Sequence, residues 1–105
     1  MSKFELQQRV ADFVVEHQLS ADAVTRMLDL QSELGELAKE LLKASDYGRK
    51  PFASTPDWEL ELGDVFFALL ALAEVSGVDL EGALELALDK YWRRLSESGQ
   101  AESGR

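Results

Sequence analysis

At 105 residues the chain has room for one domain, and 46% hydrophobic against 30% charged residues describes a globular fold rather than a disordered segment. A net charge of −9 opposes binding to nucleic-acid polymers and anionic membranes, and the absence of cysteine excludes disulfides, thiolate catalysis and zinc–cysteine centres. Two prolines among abundant Leu, Ala and Glu favour helix, and a core this small invites help from a second copy.

The N-terminus lacks the basic-then-apolar layout of a signal peptide. The longest apolar run, Val65 to Ala73, is far short of the ~20 residues that span a bilayer. Both features point to a cytoplasmic protein with no membrane partner. Lys3 to about Gln18 reads as a first helix, with Leu6, Val10, Phe13 and Val14 as its apolar stripe. The lone histidine, His17, falls on the side of Leu6 and Phe13, and a helix-end packing role is preferred over a ligand role. Ser20 is expected to cap a second helix, Ala21 to about Ala44, with Asp22 in its first turn. On that helix Asp29, Glu33, Glu36 and Glu40 fall within a sector of about 60°, an acidic ridge.

Asp46 to Thr55 is the one long connection, broken by Gly48, Pro51 and Ser54. Thr55 caps a third helix with Pro56 at its first position, and Gly77 closes it after about Ser76. From Val65 to Ala73 this helix is apolar on every face, so burial on nearly all sides is expected. Asp79 caps a fourth helix, Leu80 to about Leu95, whose inner stripe is Leu80, Ala83, Leu84, Ala87, Leu88 and Tyr91. Residues 1–95 then form a single domain, and 96–105 a frayed Ser/Gly/Glu-rich tail.

Two acidic pairs stand out, Glu33/Glu36 and Glu61/Asp64, each at i, i+3 and each with a glycine immediately before its second acid. Taken alone, Glu33/Glu36 is indistinguishable from a solvated helix face, and Glu61/Asp64 from dipole partners on an exposed first turn. Together, on neighbouring helices, they bring four carboxylates to one point, where a divalent cation relieves their repulsion. Oxygen ligands without His or Cys select Mg2+, or Mn2+, over zinc or copper, and Mg2+ commonly shares its shell with substrate phosphates. Lys90, Arg93 and Arg94 near the end of the fourth helix supply cations for phosphate, although helix-dipole placement accounts for them equally well.

These residues resemble the MazG family of all-α nucleoside triphosphate pyrophosphohydrolases. The resemblance is carried by Glu33-Leu-Gly-Glu36, by Glu61-Leu-Gly-Asp64 with its apolar helix, and by Val78 to Leu84 and Lys90 to Arg94. It implies a four-helix MazG-like bundle, completed by packing into a homodimer or homotetramer. It implies Mg2+-dependent hydrolysis of a (d)NTP to the monophosphate and pyrophosphate, by metal-activated water attack at the α-phosphorus. Carried over by position, Glu33, Glu36, Glu61 and Asp64 are the catalytic metal ligands, and Lys90 and Arg94 meet the phosphate tail. Trp58, Phe66 and Tyr91 are candidates for a stacking wall against the base. One departure concerns the substrate contact: Leu88 stands where many members have asparagine. Two rivals remain open from sequence, a phosphoribosyl-ATP pyrophosphohydrolase-like enzyme and a non-catalytic helical interaction module.

Overall fold

The computed structural model describes residues 4–98, which form four helices and no strand: α1 (Glu5–Glu16), α2 (Ala23–Ala44), α3 (Pro56–Val75) and α4 (Leu80–Ser98). The expected element order holds, with small shifts at the ends. The cap of α2 is Asp22 rather than Ser20, its carboxylate accepting the Thr25 amide at 2.9 Å. Gln18, in the left-handed region at φ 56°, turns the chain at the end of α1, and Ser20 lies two residues before the cap. The bond from the Thr25 amide holds the Asp22 carboxyl below its ordinary value. Thr55 caps α3 as expected, accepting from the Trp58 amide at 3.1 Å, with Pro56 in the first turn. At the other end Gly77 takes φ 74°, and the Val78 amide reaches back to the Ala73 carbonyl at 3.0 Å, the bond of a left-handed helix stop. α4 continues to Ser98, so Ser96 to Ser98 of the expected tail are helical; residues 99–105 lie outside the described residues.

α3 is the central helix. α2 packs along it, and α1 crosses it. Ala11, Ala68, Leu70, Ala71 and Ala73 are the buried apolar residues, and the alanines of α3 let the neighbouring backbones come close. Phe13 meets Phe67 edge-on at 6.0 Å. His17 stacks on Phe13 at 4.4 Å, the packing role preferred from sequence.

All-round burial of α3 is not reached. Leu62, Phe66 and Leu69 stay open, because within one chain only two helices cover α3. α4 makes only marginal contact along the other three helices, and half of its expected inner stripe is uncovered: Leu84, Leu88 and Tyr91 are exposed, Leu88 by 50%. The radius of gyration, 16.7 Å, exceeds the ~13 Å of a closed domain of this length.

One residue ties the start of α4 to α1. Gln7 is 2% exposed. Its amide nitrogen donates to the Val78 carbonyl at 2.8 Å and the Glu74 carboxylate at 3.1 Å, and its amide oxygen accepts from the Leu80 backbone at 2.9 Å. Asp79 completes the junction, accepting from the Phe4 amide at 2.8 Å and capping α4 through the Gly82 amide at 3.0 Å. Replacing Gln7 with Leu strands a buried backbone donor and acceptor. The expected cost is roughly 2–4 kcal/mol in chemical denaturation, against near neutrality at an exposed neighbour such as Gln8.

Candidate metal centre

The pairing of α2 with α3 decides the site. Glu33 lies midway along α2, and Glu61 and Asp64 lie one turn apart in the first half of α3. Side-by-side packing brings one carboxylate oxygen of each within 4.8 Å of the other two. Oxygens sharing one Mg2+ at about 2.1 Å lie at most ~4.2 Å apart, so the three fit a single ion after side-chain movement of under about 1 Å. No Cβ at Gly35 or Gly63 would meet a neighbour, so these glycines leave open space beside the acids.

Electrostatics agree with the geometry. The Glu61 carboxyl is pushed above its ordinary value, first by partial desolvation and then by the charges of Asp64, Glu33, Glu36 and Glu40. No salt bridge to Glu33, Glu61 or Asp64 is found among the described residues, whereas the outer acids of the ridge have partners: Lys39 lies 3.9 Å from Glu36, and Lys43 lies 3.5 Å from Glu40. A raised carboxyl pKa means the folded state binds more protons than the unfolded one. Stability from the neutral Glu61 is therefore complete below the unfolded pKa and is lost as pH rises through the folded one. In EDTA, the melting temperature of wild type relative to Glu61→Gln is expected to fall as pH rises across and just above the usual carboxylate range, while the lowered Asp22 carboxyl contributes in the opposite sense to both proteins.

Of the four carboxylates expected to meet, three converge. Glu36 lies outside the three-oxygen cluster, although its charge reaches Glu61. Lys90 and Arg94 sit on α4 over the Tyr91 ring, at 4.8 Å and 6.0 Å, on the helix that packs least with α2 and α3. Trp58 lies one turn before Glu61, its ring edge-on to Phe52 at 5.0 Å. Arg26 was missed. It lines a cavity of about 260 Å³ together with Asp29, Glu33, Asp64, Phe67 and Ala68. Its i, i+7 spacing to Glu33 on the acidic face was the signal available in the sequence.

A centre of hard oxygens on an all-α scaffold defines a class. The MazG nucleotide pyrophosphohydrolase domain matches residues 22–97, which spans α2, the three clustered carboxylates, α3 and nearly all of α4. The chain belongs to that family. It is 41% identical over 68 residues to the uncharacterized protein YpjD of Bacillus subtilis (strain 168), a match covering 62% of this chain and 60% of that protein. No solved structure matches the chain. Among the described residues no helix is long and apolar enough to cross a membrane.

Proposed function

We infer that the protein is a Mg2+-dependent pyrophosphohydrolase that cleaves a (d)NTP between the α- and β-phosphates, releasing a monophosphate and pyrophosphate. The observation that carries this reading is the convergence of Glu33, Glu61 and Asp64, with no ion-pair partner among the described residues, within a chain of the MazG family. A triphosphate adds negative charge to a site that already repels it, so the cation must accompany or precede the substrate. Glu33, Glu61 and Asp64 would hold that ion. When bound, it neutralises phosphate charge and lowers the pKa of coordinated water. Glu36, outside the three-oxygen cluster, is the carboxylate left to orient the attacking water and accept its proton at a side-chain oxygen. Trp58 and Phe52 form an aromatic surface one turn from Glu61, suited to stack on a base. Mn2+ meets the same ligand preferences as Mg2+.

The working form is a homodimer or homotetramer. The exposed stripe of α4 and the open side of α3 are too apolar and too extended for a lone chain, and a second copy covers both. Leu88→Glu places a charge in that stripe. Light scattering of the purified protein is expected to show its mass fall toward that of one chain.

The reaction class is tested by incubating the protein with each common (d)NTP and Mg2+ and assaying pyrophosphate and orthophosphate separately, with EDTA controls. Pyrophosphate release abolished by chelation supports the reading. Orthophosphate alone refutes it. Inactivity on every (d)NTP together with cleavage of phosphoribosyl-ATP assigns the substrate to the second enzyme class. Inactivity with no thermal effect of Mg2+ or Mn2+ leaves an interaction module.

A further inference from the structure

Arg26 lies two helical turns before Glu33 on α2, about 10 Å along the axis. It is 9% exposed, a degree of burial arginine rarely reaches without partners. Arg26 lines a small cavity with Val10, Val14 and Ala71, and it also borders the cavity lined by Glu33 and Asp64. That second cavity therefore joins Arg26 and Asp29 to two of the three clustered carboxylates, with Phe67 and Ala68 as its apolar lining.

The partners of Arg26 are few. One Nη donates to the Leu19 carbonyl, which secures the α1–α2 connection. The other Nη lies 3.8 Å from an Asp29 oxygen, too long for a hydrogen bond. A guanidinium carries five N–H donors in a fixed fork, more than these contacts use. A buried cation that shares a cavity with the carboxylate cluster suits an oxyanion whose remaining oxygens would lie on the metal, and phosphate geometry matches the fork.

We propose that Arg26 binds the pyrophosphate end of the substrate and retains pyrophosphate after cleavage. This rests on the pyrophosphohydrolase reading above. In that reaction the water oxygen bonds to the α-phosphorus and the bond from the α-phosphorus to the bridging oxygen breaks. The electron pair leaves with pyrophosphate, the water proton goes to a carboxylate, and nothing is oxidised or reduced. Negative charge thus grows on the group nearest the guanidinium. Asp29 competes with the phosphate for Arg26, so the two sites are coupled.

The test compares wild type, Arg26→Gln, Arg26→Lys and Asp29→Asn. It uses calorimetric titration with inorganic pyrophosphate in Mg2+, the melting shift from Mg2+ alone, and KM and kcat for the preferred nucleotide. Arg26→Gln is expected to weaken pyrophosphate binding about 10–100-fold, the scale of a lost charge-assisted contact, and to raise KM more than it lowers kcat. Its Mg2+ melting shift stays intact, because the three carboxylates are untouched. Arg26→Lys recovers part of the affinity, and Asp29→Asn tightens pyrophosphate binding at least twofold. An Arg26→Gln protein that folds and binds pyrophosphate within twofold of wild type overturns the proposal. Should that variant not fold, Asp29→Asn decides, and unchanged or weaker affinity in it overturns the proposal. A wild type that neither binds pyrophosphate nor releases it from any nucleotide overturns the functional reading itself.

Discussion

Asp64→Asn is expected to abolish pyrophosphate release while leaving the unliganded helical fold as stable as wild type or more so. Asp64 supplies one of the three oxygens that converge between α2 and α3, and its charge is the largest single electrostatic influence raising Glu61. Removing it takes away a ligand and a repulsion together. Loss of a residue one shell out from a metal typically costs ~10–100-fold in affinity or activity, so loss of a direct ligand should exceed about 100-fold. The same substitution relieves like-charge repulsion, so the melting temperature in EDTA should hold or rise. In Mg2+ the order reverses, because wild type gains stability from the bound ion and the variant does not. A structural role for Asp64 would instead lower the melting temperature in EDTA. Full activity in Asp64→Asn would sink the metal-centre account.

Leu70→Ala carries the largest expected loss of stability. Leu70 is 3% exposed on α3, the largest aliphatic side chain in a buried set otherwise made of alanines. Truncating a buried leucine costs ~2–5 kcal/mol, a large share of the ~5–15 kcal/mol that holds a domain folded. Thermal melting followed by circular dichroism should shift down by roughly 10–30 °C. Leu69, one residue earlier and 37% exposed, is the control. Within one chain its truncation should cost much less. A cost close to that of Leu70→Ala would show that a second copy covers the open side of α3. No change at Leu70 would mean that the α1–α3 contact is not the core.

The sequence made the helices legible because their punctuation is chemically explicit. Thr55-Pro56, Gly77 and Asp79 mark ends that the structure keeps, and the capping bonds of Thr55 and Asp79 are formed. Ser20 and Asp22 are both competent caps within one turn, and the structure uses Asp22, whose carboxylate takes the Thr25 amide. Three of the four carboxylates converge because Glu61 and Asp64 share a face of α3 and Glu33 faces them from α2. Glu36 fell outside because the spacing fixes a side of the helix and not a distance across to the next one. Arg26 is not legible as a site residue from sequence spacing alone, because a cation two turns upstream of Glu33 joins the acids only through the cavity that the fold creates. The exposed stripe on α4 was read as an inner face. Periodicity identifies an apolar face but does not say whether its partner comes from the same chain.

The most direct test of the central claim is the destination of the water oxygen. Turnover of the preferred nucleoside triphosphate in 18O-labelled water with Mg2+, followed by mass spectrometry of both products, locates the phosphorus attacked. The account predicts one labelled oxygen in the nucleoside monophosphate and none in the pyrophosphate. Label in pyrophosphate, or release of labelled orthophosphate, would contradict it.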